Sequence, residues 1–466
     1  MGTSIDNKKA WSTFRMILLG IFFTVLSMSF VTPAVPLITA HFGIAAGNAA
    51  WMSLGFAMGA TVFQPVFGWV GDNFGRRKLL LGGLLTFTIG SLVIAMAPSF
   101  TFIVIGRFLQ GLGSAAVVPV GMAYAASGFS KDEQGKAFGL WGMITAISAI
   151  VGPTIGGLLA VNFGWEAIYL TSAALAAIAL IASLIKLPEI PATSKSVFDW
   201  GGTILLLLLM SGLLNIPTFI NSFGITSWYP YAWFGLFVVA SFFFVKHEKK
   251  QKAPLVDINY AKTRTFWAPT LAVFLQYISF QGALLLLSYF ITQVQGKEAT
   301  ITGIIMIPLF TMLAVGSTVS GKMLQKHAAK KLATIGIIVY LVGLAGFLLL
   351  NVDTGLPYLL VTASLLGLGL GIVTPAFISI IVSKADVAKM GSTTASYNMF
   401  KDIGGPFGSS IAIVLYSILT QSQSLITSIT TTVAVLLACS ALSLIPLALI
   451  PGSKSKTASN ESNKTA

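Results

Sequence analysis

Long apolar runs, broken by short polar turns, dominate this chain. They lie near residues 14–38, 49–70, 79–97, 102–124, 137–161, 167–187, 200–220, 231–245, 266–291, 301–321, 332–351, 356–382, 393–419 and 426–450. Most approach the roughly 20 residues that a helix needs to cross the hydrocarbon of a bilayer. Lipid cannot hydrogen-bond a free backbone amide or carbonyl, so such segments are expected to be helical. The pattern predicts an all-α polytopic membrane protein with about 14 transmembrane helices.

The polar turns carry a charge signal that fixes an expected orientation. With the N-terminus inside and the sides alternating, the inner turns collect Lys8, Lys9, Arg15, Arg76, Arg77, Lys78, Lys131, Lys136, Lys186, Lys195, Lys246, Lys249 and Lys250. They go on to collect Lys252, Lys262, Arg264, Lys322, Lys326, Lys330, Lys331, Lys384 and Lys389, and the tail lysines. The outer turns hold Lys297 alone, and Arg107 and Lys401 fall within spans. Basic residues favour the cytoplasmic side, so both termini are expected there and the protein in the cell membrane. A miscounted span would destroy the alternation.

Composition agrees, with 55% hydrophobic and 9% charged residues, against about 25% charged in soluble domains. The net charge of +14 would suggest nucleic acid in a soluble chain. Here the basic residues are scattered over short loops, and no nucleic-acid partner is expected. The single cysteine, Cys439, excludes an intramolecular disulfide. Asn460-Glu461-Ser462 matches a glycosylation acceptor but falls on the expected inner side. The first run is long enough to be a retained span rather than a cleaved signal. No phosphate-binding loop ends in Gly-Lys-Ser/Thr, so ATP is not the expected energy source. No metal, nucleotide or redox cofactor is implied, and no enzymatic role is expected.

The longest inner stretch between spans, residues 246–265, separates eight spans from six, and the polar end from 452 to 466 is expected to be disordered. A weak repeat relates the loop Gly68-Trp69-Val70-Gly71-Asp72-Asn73-Phe74-Gly75-Arg76-Arg77-Lys78 to residues 321–331. Lys330 and Lys331 stand at the offsets of Arg77 and Lys78, with Gln325 in place of Asp72 and Ala328 in place of Gly75. Transporters are often built from such repeats around a midplane site.

Four segments carry candidate chemistry. In the first loop, Gly68, Gly71 and Gly75 allow tight turns and close helix approach, and Asp72 is expected to be a helix-start carboxylate beside Arg76 and Arg77. In the fourth span Arg107, Gln110, Gly111 and Ser114 share one helical face. Arg107 lies roughly 9 Å into the span, where an unpartnered guanidinium costs about 3 kcal/mol or more unless it snorkels to the interface. In the fifth span Ala149, Gly152, Pro153, Gly156, Gly157 and Ala160 form a small-residue face suited to close packing, and Pro153 removes a helix hydrogen bond. In the thirteenth, Asn398, Lys401 and Asp402 share a broad face, and Asp402 is the one acid well inside a span. It either titrates during transport or stands as a fixed counter-ion to Lys401 or Arg107. Gln276, Tyr277, Phe280 and Gln281 of the ninth span offer a mixed aromatic and amide face, with packing or lipid contact the plainer alternative. Met28, Met143 and Met399 fit either an adaptable cavity or a core.

These four segments resemble motifs of the major facilitator superfamily, and the resemblance covers most of the chain. It implies two six-helix bundles, residues 1–190 and 266–451, with two additional central spans in 191–246 and a cytoplasmic linker at 247–265. It also implies that Gly68, Gly71, Asp72, Gly75, Arg76 and Arg77 form a gate latch pairing charge across the halves, and that Arg107 and Gln110 serve proton or substrate coupling. The Gly152-Pro153-Thr154-Ile155-Gly156-Gly157 pattern resembles an antiporter motif and favours export. Asn398-Met399-Phe400-Lys401-Asp402-Ile403-Gly404-Gly405 looks like the corresponding segment of the fourteen-span drug:proton antiporters, with Lys401 and Asp402 where arginine and glutamine are usual. That branch usually carries an aspartate in its first span, where this chain has Ser27.

The expected function is therefore secondary active export of amphipathic drug-like compounds by proton antiport through alternating access, by a monomer in the bilayer. Ser27, Gln276, Tyr277, Gln281 and Asn398 are the expected cavity residues. Two cations, Arg107 and Lys401, against one acid favour a neutral, zwitterionic or anionic passenger. One alternative is a carrier of a specific neutral or anionic metabolite or lipid-like molecule, not necessarily proton-coupled. A non-transporting receptor or scaffold is the other.

Overall fold

A computed structural model describes residues 7–29, 34–44, 50–189, 192, 196–224, 226–251, 253–298 and 300–450. Among these residues every regular element is helical. Fourteen helices are long and apolar enough to cross a membrane: Asn7–Met28, Trp51–Phe74, Arg76–Ala95, Phe100–Ser127, Glu133–Phe163, Trp165–Lys186, Trp200–Pro217, Tyr229–Glu248, Arg264–Val294, Ile301–Met323, Ala329–Leu349, Leu356–Val382, Val387–Leu419 and Leu425–Leu449. The expected runs are all present. Several helices reach past their apolar stretch, as at Glu133 and Glu248, because a helix continues into the polar interface. The tail beyond residue 450, with the Asn460 acceptor, lies outside the described residues.

Local chemistry explains the breaks. The second span comprises two helices, Ala50–Val62 and Gln64–Phe74, with Phe63 between them and a proline in the first turn of the second. Proline is tolerated there because its missing N–H has no helical partner to lose. Gly75 ends that helix at φ 99°, a conformation costly for residues with a Cβ. Asp199 caps the seventh span by accepting from Gly202 N at 2.8 Å, and Ser424 caps the last by accepting from Thr427 N at 3.2 Å.

The chain folds into two compact units. One comprises 1–128, 147–261 and 385–403; the other comprises 129–146, 262–384 and 404–466. The fifth and thirteenth spans therefore each contribute to both units, and the thirteenth passes between them at Ile403 and Gly404.

The first unit has a core cluster of Leu26, Ile38, Met52, Ile94, Ile103, Ala160, Trp165, Ile168 and Tyr169. Its eighth span is peripheral and largely unburied. Phe234, Val238 and Phe242 lie exposed along one side of it, a spacing of four that makes a lipid-facing stripe. The second unit is centred on Phe290, Tyr340, Leu344, Phe347, Leu366 and Leu370. There Ser279 Oγ and the Tyr340 hydroxyl share a hydrogen bond of 2.9 Å, which satisfies two polar groups in an otherwise apolar interior.

Candidate transport and gating site

The loop after the second span is built around Asp72, which is 2% exposed. Its Oδ1 accepts from Gly391 N at 3.0 Å and from Arg76 Nη2 at 3.0 Å, and its Oδ2 accepts from Ser392 N at 3.0 Å. The expectation of a helix-start carboxylate needs correcting. Asp72 sits in the last turn of its own helix, Gln64–Phe74, and caps a different one, Met390–Leu419. A negative charge is stabilised there by free amides and the positive end of the helix dipole. Contact is close because both facing positions lack a side chain. A Cβ on Gly68 would lie 2.5 Å from Gly391 O, and one on Gly391 would lie 2.5 Å from Asp72 Oδ1.

The neighbouring cations divide. Arg76 is buried, donating to Asp72, to Ser127 Oγ and, at 3.4 Å, to Ala123 O. Arg77 turns to the sixth span, pairing with Glu189 and donating to Leu184 O at 3.0 Å. Gly71 faces Leu79, whose Cδ2 would lie 3.0 Å from an added Cβ.

The thirteenth span also carries the intramembrane acid. Lys401 Nζ lies 3.3 Å from Asp402 Oδ1, and Gln64 Nε2 donates to Asp402 Oδ2 at 2.8 Å. Of the two counter-ion assignments open from the sequence, the geometry matches Lys401. Asn398 is 1% exposed and donates from Nδ2 to Met122 Sδ at 3.3 Å. The carbonyl oxygens of Gln64 and Asn398 are buried without a hydrogen-bond partner.

Arg107 does not snorkel. It is 6% exposed, donating from Nη1 to Gln110 Oε1 at 3.0 Å and from Nε to Met52 O at 3.3 Å, and it stacks 4.6 Å from the Phe56 ring centroid. Gln110 passes the network on to Ser91 Oγ at 2.8 Å. Among the described residues no carboxylate pairs with Arg107; neutral acceptors and an aromatic face hold the cation.

Other expected site residues disperse. Ser27 is 1% exposed and its hydroxyl donates to Phe23 O of its own helix at 2.7 Å. Gln276, with 0% exposure, donates to Ser443 Oγ at 2.8 Å inside the second unit, and Phe280 is buried with it. The expected shared face of the ninth span splits, because adjacent helix residues point about 100° apart. Tyr277 and Gln281 stay half-buried beside Gly404 and Gly405. In the fifth span the helix runs unbroken through 152–157, with Gly152 and Gly156 buried. The Pro153 side chain lies outside the described set. Gly157 does not make the expected close contact, since an added Cβ there would meet nothing within 4 Å.

Gly391, Ser392, Gln64, Asp257 and Lys389 were not singled out as site residues by their place in the sequence. Gln64 had a faint signal, a polar residue beside proline within an apolar run. Asp257 pairs with Lys389 at 2.7 Å and caps a short helix, Ile258–Ala261, by accepting from Asn259 N and Tyr260 N at 3.1 Å each. Burial raises this carboxyl. The Lys389 hydrogen bond and charge, with the two amides, outweigh that and hold it below the ordinary 3.8.

The profile of the Major Facilitator Superfamily matches residues 17–409. The chain belongs to that superfamily, a class of multi-pass membrane transporters. It is 27% identical over 412 residues to the tetracenomycin C resistance and export protein of Streptomyces glaucescens, covering 87% of this chain and 76% of that one. It is 27% identical over 367 residues to the riboflavin transporter RibZ of Clostridioides difficile (strain 630), covering 78% and 79%. Its fold matches that of the human organic anion transporter MFSD10 (TETRAN) with a TM-score of 0.71 at 17% identity, covering 95% and 99%.

Proposed function

We propose that this transporter exports amphipathic, drug-like compounds across the cell membrane in exchange for protons, by alternating access of two six-span bundles with both termini cytoplasmic. Asp402 carries the proposal. It lies near the middle of its span, Val387–Leu419, its carboxylate meets one cation and one amide, and it shares a helix with the backbone amides bound to Asp72. A carboxylate poised between Lys401 and Gln64 can exchange a proton as its surroundings change. Asp72, Arg76 and the glycine pair form the gate, and Arg107 with Gln110 forms a buried polar network that supports coupling. The export direction draws on the Gly152-Pro153 pattern and on the relative named for resistance and export.

The test has two arms. Cells with and without the gene are compared for susceptibility over a broad compound panel, and the reconstituted protein is assayed for flux of each hit with the pH gradient imposed or collapsed. Protection by the gene, together with flux that stops when the gradient collapses, supports the proposal. Gradient-independent flux favours a second reading, a carrier of one specific metabolite without proton coupling. That reading is favoured by Ser27, which leaves the first span without an acid, and by the riboflavin transporter among the relatives.

A further inference from the structure

We infer that the segment joining the eighth and ninth spans is a strap that holds the gate closed, with Asp257 and Lys389 as positioning residues. The inference rests on the latch assigned above to Asp72 and adds a second tie from a different part of the chain.

The strap is anchored at three points within the first unit. At its start, Glu248 Oε2 accepts from Val256 N at 3.2 Å, and Leu255 and Val256 are 0% and 7% exposed. This connection is therefore packed down, unlike an ordinary mobile linker. Next, Trp69 donates from Nε1 to Ala253 O at 2.9 Å. Trp69 lies one turn before Asp72 on the helix that carries the latch carboxylate. Third, Asp257 takes Lys389 Nζ at 2.7 Å. Lys389 is two and three residues before the amides of Gly391 and Ser392 that Asp72 caps.

One short segment thus grips both sides of the latch, by a hydrogen bond on the Asp72 helix and by an ion pair on the helix that Asp72 caps. Separating those helices would require either the strap to leave Trp69 or Asp257 to release Lys389. The acid cannot swing freely after the lysine, because it also accepts two amides of the helix it starts. The ion pair is part-exposed, with side chains 35% and 21% accessible, so its hold is modest and screened by salt.

The test reads opening from the latch helix itself. In a Cys439→Ser background, Ser396→Cys puts a near-isosteric thiol at a position 1% exposed, and maleimide labelling is followed in nanodiscs, where both faces are accessible. Asp257→Asn removes the charge and keeps an oxygen to cap the short helix; Lys389→Gln removes its partner. Each is expected to raise the labelling rate roughly two- to five-fold at low salt. The double variant should be no faster than the faster single one, and 1 M salt should remove the difference by shortening the screening length to about 3 Å. Singles that label at the parent rate, or a double variant equal to the product of the singles, would overturn the strap. Asp72→Asn separates the two claims. If it exposes the thiol while Asp257→Asn does not, the strap alone fails; if neither exposes it, the latch beneath it fails.

Discussion

Gly391→Ala should weaken the closed gate without unfolding the protein. The added methyl would lie 2.5 Å from Asp72 Oδ1, 2.6 Å from Gly68 O and 2.8 Å from Asp72 Cγ, where unstrained contacts are roughly 3.5–4.0 Å. The carboxylate must withdraw by roughly an ångström, stretching the 3.0 Å bonds it accepts from Gly391 and Ser392. Overpacking costs about 1–3 kcal/mol, and a hydrogen bond to a charged group is worth about 1.5–3 kcal/mol. These effects overlap, which leaves about 2–4 kcal/mol against the latched state. At 1.36 kcal/mol per decade that is about a 30- to 800-fold shift in the opening equilibrium. With the helices apart the methyl meets none of these atoms, and alanine gains up to about 1 kcal/mol in helix propensity over glycine. The shift is therefore specific to one conformation. Labelling of Ser396→Cys reads it directly, and a melting curve in detergent reports whether the fold survives. Labelling within about threefold of the parent, in a protein that melts normally, would refute the latch geometry, since the predicted shift exceeds about 30-fold.

Further outcomes follow from the same structure. Gly157→Ala, with open space around the added methyl, should leave transport unchanged and melting equal or slightly higher; lost activity would mean that the face is used in another state. Gln110→Ala removes an acceptor from buried Arg107 and a donor from Ser91. It should cost about 1–3 kcal/mol and lower the melting temperature, and an unchanged melting curve would contradict the network. Gln276→Leu should lower stability while preserving substrate preference, because Gln276 is bonded to Ser443 in a core. Gln281→Leu should do the reverse, and transport assays over several compounds distinguish the two. Asp257 has a depressed pKa, so its pairing with Lys389 is fully present above 3.8 and is lost only as pH falls through its lower folded value. The difference in thiol labelling between the parent and Asp257→Asn should therefore stay constant between about pH 5.5 and 8, and a strap effect that vanishes within that window would show that another group controls it.

The architecture was readable because a bilayer leaves few choices. Fourteen apolar runs and an alternating charge pattern are written locally, and the same fourteen helices stand in the structure. Helix ends were less legible, as at Glu133 and Phe163, because the apolar run marks the hydrocarbon and not the last hydrogen bond. Single-helix relations also survived, with Arg107 and Gln110 joined across one turn. Long-range partners were out of reach. Nothing near Asp72 indicates that its carboxylate caps a helix 319 residues away, and nothing near Asp402 points to Gln64. The Ser443 partner of Gln276 was out of reach for the same reason. Amide chemistry marks a residue that needs a partner, and whether Ser443 or a passenger meets that need depends on which way the helix faces.

In the proposed exchange, Asp402 takes up and releases a proton as substrate is carried across the membrane. Proton movement driven by a transported amphiphile, recorded in proteoliposomes of the parent and of Asp402→Asn, tests it most directly. Substrate should drive protons in the parent and fail to do so in Asp402→Asn, while binding of the compound persists. Undiminished substrate-driven proton movement in Asp402→Asn would contradict it.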